Sequence, residues 1–157
     1  MLEHDAQVFG DWAKGVHFQG GWIEFGKDNH RLTVMNVNRE GVEHVLGVDL
    51  VYFHHTYQSY VLVQYKRLDR DSEGRACYYP TSDNQLQKEL SLMRQIQSTA
   101  DATVGIPGTY RLHSGPCYLK LCPPVVLDPY SADLIKGMYI PLDYWDHLLN
   151  CDATLGC

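Results

Sequence analysis

The sequence lacks several features that would place the chain in a special class of protein. No stretch approaches the roughly 18 consecutive apolar residues that a membrane-spanning helix requires. The first ten residues, MLEHDAQVFG, contain neither a basic segment nor an apolar block, so we expect no secretory signal there. Internal repeats, low-complexity tracts and linkers are also absent from the sequence. With 157 residues, of which 45% are hydrophobic and 20% charged, we expect one globular domain over residues 1–157.

Cysteine is present but is not arranged as in a disulfide-rich secreted protein. The five cysteines are an odd number without dense regular spacing, and no CxxC pair occurs. This pattern predicts reduced thiols and a cytoplasmic location. A zinc site remains an alternative, although ordinary buried thiols and loop histidines are the simpler interpretation of its candidate residues, which are His54, His55, His113, Cys117 and Cys122.

Positive charge is also scarce. The formal net charge is −6, which excludes a protein that coats nucleic acid by bulk electrostatics but permits a local basic groove. Four of the 13 basic residues fall between residues 66 and 75. Because acids are interleaved among them, a solvated loop is the simpler interpretation, and Arg67, Arg70 and Arg75 stay as candidates for nucleic-acid contacts.

The order of the predicted elements indicates an α/β domain. An imperfect apolar face predicts a helix over residues 1–15, and two apolar runs predict strands over 21–25 and 31–37, joined by the turn GKDNH. A short helix over 39–46 should end at Gly47. The apolar residues 147–157, HLLNCDATLGC, also favour the hypothesis that the chain is the N-terminal part of a longer protein.

The second half of the chain supplies a crossover helix and further strands. Ser82 and Gln85 have the spacing of a capping box, and an apolar stripe at helical spacing begins at Leu86. Such a helix should pack on the sheet and return the chain to a strand within 110–122. Residues 136–140 predict another strand, and Pro141 suits the first turn of a final helix.

The stretch from Gly47 to Leu68, GVDLVYFHHTYQSYVLVQYKRL, predicts a hairpin that carries three buried polar residues. Side chains alternate between the two faces of a strand, so Gln64 and Lys66 share a face. If the turn is symmetric about Thr56 and Tyr57, Asp49 lies directly opposite Gln64. A carboxylate, an amide and an ammonium on an apolar hairpin need partners or a function.

This combination is suited to metal-dependent cleavage of a phosphodiester bond. Divalent Mg²⁺ or Mn²⁺ prefers hard oxygen ligands, which the Asp49 carboxylate, the Gln64 amide and the Tyr65 backbone carbonyl can provide. Lys66 can position the attacking water or stabilise the charge that develops on the phosphate.

The pattern GVDL, a short hairpin and VQYK resembles the core of the PD-(D/E)XK nuclease superfamily, in particular Mrr-type restriction endonucleases, in which Gln replaces the second acid. The resemblance implies a restriction-endonuclease-like mixed central sheet flanked by helices. It also implies that Asp49, Gln64 and Lys66 are catalytic, with Glu43 as the acid on the preceding helix. The resemblance also implies DNA as the partner and a bacterial or phage defence setting. A homo-oligomer or a larger defence assembly is compatible with it, and the lack of a long apolar run predicts no membrane association.

A short D…QxK pattern also occurs by chance, so a second interpretation stands beside the nuclease. The three residues could form a structural polar cluster or a degenerate site. The chain would then be a non-catalytic module, on the same fold, that binds nucleic acid or protein within a larger assembly.

Overall fold

The computed structural model describes residues 13–14, 22–37, 43–101, 113, 115–124 and 137–150. Within these ranges, seven strands form one mixed sheet. They are β1 (Ala13–Lys14), β2 (Trp22–Lys27), β3 (His30–Asn36), β4 (Leu50–His54), β5 (Ser59–Arg67), β8 (Cys117–Cys122) and β9 (Met138–Pro141). A separate two-stranded ribbon consists of β6 (Asp69–Arg70) and β7 (Ala76–Cys77).

Three α-helices and one 3-10 helix complete the described part of the chain. The α-helices are α1 (Glu43–Leu46), α2 (Leu86–Asp101) and α3 (Leu142–Asn150), and the 3-10 helix spans Pro80–Ser82. Among the described residues, no helix is both long enough and apolar enough to cross a membrane.

The sheet has the order β1-β2-β3-β4-β5-β8-β9. Neighbouring strands are antiparallel except for β5 and β8, which are parallel. A parallel pair requires a crossover, because the chain must return to the end at which the first strand began. The segment containing α2 makes that crossover, as the sequence predicts.

The register of the central hairpin agrees with a turn centred on Thr56 and Tyr57. Leu50 pairs with Val63 and Val51 with Leu62, and the paired register begins at Leu50. The N–H of Asp49 donates to the carbonyl oxygen of Val63, which is one residue out of this register, so the placement of Asp49 directly opposite Gln64 stays a prediction. This register puts Val51 and Leu62 on the face that packs against α2. Gln64, two residues after Leu62, therefore faces the same helix.

The larger hydrophobic core lies between this face of the sheet and the helices. Leu86, Leu90 and Met93 form the predicted stripe of α2 and are fully buried, together with Trp145 of α3. Ile23 and Phe25 of β2 and Val34 of the neighbouring β3 form a second, smaller apolar cluster. The observed architecture is α/β, with helices packed on a mixed sheet.

Most of the predicted elements are present with small shifts of their ends. The predicted strands over 21–25, 31–37 and 136–140 correspond to β2, β3 and β9, and the strand predicted within 110–122 begins at Cys117. The predicted helix over 39–46 is α1 from Glu43 onward, while residues 38–42 lie outside the described residues. The helix predicted over 1–15 is wrong at Ala13–Lys14, which pair with β2 as a strand, and its other residues lie outside the described ones.

Two of the cysteines are buried free thiols, as expected. Burial raises the pKa of the Cys117 thiol to about 12, so it stays protonated and unreactive at neutral pH. Cys77, however, is disulfide-bonded, so the prediction of reduced thiols is wrong at this residue. A reducing, cytoplasmic location therefore stays a prediction.

Gly47 ends α1 with a positive φ of 65°. A Cβ atom at this position would lie 2.7 Å from the backbone oxygen of Glu89 in α2. Two separate reasons therefore require glycine at position 47: the left-handed backbone and the close packing of the chain against α2.

We predict that Gly47→Ala lowers the free energy of unfolding by about 3 kcal/mol or more, since backbone strain and a backbone clash add together. Gly74 is the matched control, because its φ is 79° but a Cβ atom added to it would have no other atom within 4 Å. Gly74→Ala should cost only about 1 kcal/mol, from the strain alone. Urea denaturation measures both, and equal losses would contradict the proposed close packing.

Candidate active site

All three polar residues of the hairpin are buried, and Gln64 and Lys66 lie on the face of the sheet that α2 covers. Asp49, Gln64 and Lys66 are only 7%, 4% and 7% exposed. Lys66 follows Gln64 by one strand period, so these two side chains share a face. The nuclease interpretation requires the Asp49 carboxylate to share it too, because opposite faces would separate the carboxylate from the ammonium.

Asp49 is held at the end of the hairpin by backbone hydrogen bonds. Its N–H donates to the carbonyl oxygen of Val63 at 3.0 Å, and its Oδ2 accepts from the N–H of Tyr65 at 2.8 Å. The Asp49 carboxylate, next to the first residue of β4, thus accepts a hydrogen bond from the backbone of β5. Its position is therefore fixed relative to Gln64 and Lys66.

Lys66 connects the sheet to the start of α2 through two carboxylates. Its Nζ lies 2.7 Å from Oδ2 of Asp83 and also forms an ion pair with Oε2 of Glu89. Burial alone would lower the pKa of Lys66, but hydrogen bonds and the negative charges of Asp83 and Glu89 raise it above its usual value of 10.5. Lys66 is therefore a fixed cation at neutral pH and not a general base.

Asp83 caps α2 and holds Lys66 at the same time. Its Oδ1 accepts hydrogen bonds from the backbone N–H groups of Gln85 at 3.0 Å and Leu86 at 3.1 Å. The predicted capping box is therefore wrong in its cap residue, because Ser82 belongs to the preceding 3-10 helix and Asp83 makes the cap. An Asp carboxylate can accept two backbone bonds on one oxygen and still offer the other to a cation.

The second oxygen of Asp83 is shared between Lys66 and the hydroxyl of Tyr78, which donates to it at 2.8 Å. Burial alone would raise the pKa of Asp83, but the bonds from Lys66, Tyr78 and the Gln85 backbone outweigh it and lower that pKa to about 2. Burial and the Asp83 charge together raise the pKa of Tyr78, so its hydroxyl remains a donor.

Glu89 is a member of the network that the sequence interpretation missed. It lies in the first turn of α2, is 8% exposed, and accepts a hydrogen bond at Oε1 from Nε2 of Gln64 at 3.4 Å. Glu89 stands three residues after Leu86 and four before Met93, which places it within the apolar stripe of the helix. A carboxylate within such a stripe was the signal that could have identified it.

Gln64 has an amide oxygen that no described residue satisfies. Its Nε2 makes two long hydrogen bonds, to Glu89 and to the Tyr65 carbonyl at 3.5 Å. Its Oε1 is buried and, within the described part of the chain, has no hydrogen-bond partner. Leaving a buried carbonyl oxygen without a donor costs about 1–3 kcal/mol.

The oxygen atoms of the network fit the preference of Mg²⁺ for carboxylate and amide ligands. The unsatisfied Oε1 of Gln64 is the observation that favours such a ligand. For the described residues, no group of three or more His, Cys, Asp or Glu side chains is arranged around a common metal position. The zinc site that the sequence left open as an alternative therefore has no such group of side chains among the described residues.

The remaining predicted residues lie away from the network or are only partly described. Glu43 is the first residue of α1, and its side chain lies outside the described residues. The three arginines are exposed and already have partners near the β6–β7 ribbon. Arg67 lies 3.6 Å from Asp69, Arg70 donates to the Gly74 carbonyl at 2.9 Å, and Arg75 lies 2.8 Å from Asp71.

We predict that Asp83→Asn removes a pH-dependent part of the stability while keeping the helix cap, since Asn caps nearly as well as Asp. The pKa of Asp83 is lowered by folding, from 3.8 to about 2. Its ionised form therefore stabilises the fold above about pH 4, by on the order of 2 kcal/mol, and this stabilisation is lost as the pH falls from about 4 to 2. Urea denaturation at several pH values should show a wild-type decline that is shallower in the variant.

Asp69→Asn is the control for this experiment, because Asp69 is an exposed acid whose pairing with Arg67 is weak. It should change the free energy of unfolding by less than about 0.5 kcal/mol. An unchanged acid profile in Asp83→Asn would contradict the ion pair with Lys66.

Comparison of the chain with protein-family models, with curated proteins and with solved structures found no match. What the network can do chemically follows from its own groups. They are the anchored carboxylate of Asp49, the amide oxygen of Gln64, which has no donor among the described residues, and the fixed ammonium of Lys66, all buried.

Proposed function

We propose that the chain is a metal-dependent endonuclease that cleaves DNA phosphodiester bonds. The observation that carries this proposal is the burial of Asp49, Gln64 and Lys66 in one hairpin, where the Asp49 carboxylate binds the N–H of Tyr65, between Gln64 and Lys66, and Lys66 is held as a permanent cation. A carboxylate beside an ammonium is the minimum needed to hold a divalent cation and to balance charge on a phosphate.

The topology supports a restriction-endonuclease-like fold for this activity. The hairpin β4–β5 carries the candidate residues, α2 crosses over the same face, and β8 returns parallel to β5. This is the mixed sheet with packed helices that the D…QxK resemblance implies.

Asp49, the Oε1 of Gln64 and the backbone carbonyl of Tyr65 would hold Mg²⁺ or Mn²⁺. When bound, such an ion polarises a phosphate oxygen and lowers the pKa of a coordinated water. Lys66 contributes positive charge toward the phosphate, because it stays protonated at neutral pH. Its ion pair with Asp83 holds the ammonium in a defined position and limits the reorganisation needed during reaction.

One observation favours the non-catalytic module instead. Lys66 is already paired with two carboxylates, and Arg67 and Arg75 also lie beside acids. A side chain whose charge is compensated within the fold attracts phosphate less strongly. Binding of DNA without cleavage is therefore the second candidate function.

We predict that the wild-type chain nicks supercoiled plasmid DNA in Mg²⁺ or Mn²⁺, and not in EDTA. Asp49→Asn and Lys66→Met should each lower the nicking rate by about 100-fold or more, since each removes a charge from the reacting centre. Asp49→Asn retains an acceptor for the Tyr65 N–H, which makes it the milder change to the fold. Agarose gels with a time course measure the rates.

Lys88→Met is the matched control, because Lys88 is an exposed lysine on the same helix as Glu89. It should nick at the wild-type rate. Circular dichroism must show that Lys66→Met is folded, since removing one partner of a buried ion pair costs about 3–5 kcal/mol. Nicking that persists in both site variants would come from another site, and binding of DNA without any nicking would establish the module instead.

A further inference from the structure

A cavity of about 490 Å³ opens between the turn of the β4–β5 hairpin and the C-terminal half of α2. This volume lies within the roughly 300–1,000 Å³ that is usual for small-molecule sites. The described residues that line the cavity include no carboxylate and no cation. The apolar part of the lining consists of Leu46, Val51, Leu62, Ile96, Ala100 and Pro116. The interior therefore suits an uncharged group, since a charge would lose its hydration there without gaining a partner.

Tyr60 forms an exposed edge of this cavity. The residue is 54% exposed, and its ring is stacked on that of Phe53 in β4, with the ring centres 4.5 Å apart and the planes at 27°. The Phe53 ring is held in turn by an edge contact with His55 at 4.7 Å. The Tyr60 ring is therefore fixed in position before a ligand arrives. Accessible aromatic rings of this kind provide stacking surfaces for nucleobases, which are planar and uncharged.

Gln58 supplies a polar group at the same cavity. Its backbone is left-handed, with a φ of 47°, and its side-chain Nε2 donates to the carbonyl oxygen of His55 at 2.7 Å. The second N–H and the Oε1 of this amide have no hydrogen-bond partner among the described residues. An amide that offers one donor and one acceptor matches the neighbouring acceptor and donor on the edge of a base such as adenine. An alkyl chain would make no use of these groups.

Positive charge lies outside the cavity, on the same face of the sheet. Arg31 of β3 shares this face with Phe53, because Thr33, two residues after Arg31, is the cross-strand partner of Phe53. The Arg31 side chain is 60% exposed, and its contact with Glu24 is long, at 3.5 Å. A guanidinium at this place can pair with a phosphate while an uncharged base occupies the cavity.

The cavity and the candidate active site lie along one face of β5. Leu62 lines the cavity, and Gln64 is the next residue of β5 on that face. Tyr60 and Gln64 are four residues apart, which corresponds to about 13 Å along a strand. A base in the cavity and a phosphate near Gln64 can therefore belong to the same DNA strand.

We propose that this cavity binds the base of an unpaired nucleotide in DNA, with the base stacked on Tyr60 and its edge bonded to the amide of Gln58. A paired base would first have to leave the duplex, and the free energy needed for that step is smallest for a base that has no partner. The substrate class is therefore DNA that contains an unpaired nucleotide. This inference rests on the proposed function for DNA as the partner, but binding can be measured without a metal ion and without cleavage.

The test compares two short DNA duplexes in EDTA, one with a single bulged 2-aminopurine and one in which that base is paired with thymine. Anisotropy of an end label measures affinity, and 2-aminopurine fluorescence reports stacking. The wild-type chain should bind the bulged duplex at least about tenfold more tightly and quench its fluorescence. Tyr60→Leu should remove the quenching and weaken binding of the bulged duplex about tenfold, which is the usual effect of losing one aromatic stack.

Ala100→Phe fills the cavity and leaves Tyr60 in place. It should remove the preference for the bulged duplex and retain the weaker binding of the paired one. Tyr57→Leu is the matched control, because Tyr57 is 69% exposed in the same turn but lines a different cavity, and both affinities should stay unchanged. Urea denaturation shows which variants fold. If Ala100→Phe does not, Tyr60→Leu still decides the test, since Tyr60 is exposed.

Equal affinity of the wild-type chain for the two duplexes would overturn the inference, as would binding of neither. A preference that persists in Tyr60→Leu and in Ala100→Phe would place the unpaired base elsewhere and have the same consequence. Displacement of the bulged duplex by free adenosine or by decanoate, at concentrations similar to that of the DNA, would assign the cavity to a small ligand and overturn it as well.

The outcomes also separate this inference from the nuclease proposal. A preference for the bulged duplex that depends on Tyr60, without plasmid nicking in Mg²⁺ or Mn²⁺, supports the cavity and removes the nuclease function. Nicking that requires Asp49 and Lys66, from a chain that binds both duplexes equally, supports the nuclease and removes the cavity as a base site.

Discussion

The ammonium of Lys66 is the group on which the arrangement around it depends. A buried lysine is stable only when carboxylates compensate its charge, and here Asp83 and Glu89 do so from the beginning of α2. The same Asp83 caps that helix, so one side chain fixes both where α2 begins and where it lies on β5. The crossover between the parallel strands is thereby tied to the sheet by charge as well as by its apolar stripe.

This interaction creates a conflict between stability and function. The carboxylates that stabilise Lys66 also weaken its attraction for a phosphate group, because they neutralise its charge. Two acids for one lysine reduce the conflict, since one acid suffices to hold the ammonium. The other acid, Glu89, also accepts a hydrogen bond from the amide nitrogen of Gln64, so it is held by two donors.

Local rules were sufficient for much of the fold. The period of two along a strand and the short turn at residues 55–58 predicted the hairpin, whose register pairs Leu50 with Val63, and placed Gln64 and Lys66 on the same face. The apolar spacing from Leu86 likewise predicted α2. Local rules failed at Ala13–Lys14, where pairing with β2 replaced a helix, and at the cap of α2, where two adjacent polar residues, Ser82 and Asp83, compete for the same role.

The sequence by itself determined the hairpin and its three polar residues, because strand alternation and turn length act over about twenty neighbouring residues. It could not determine what those residues contact, since Asp83 and Glu89 reach Lys66 only after α2 has packed across the sheet. That contact depends on the helix start, on the absence of a side chain at Gly47 and on the rotation of α2 about its axis. Only the tertiary structure, which brings these distant segments together, decided which carboxylates surround the site.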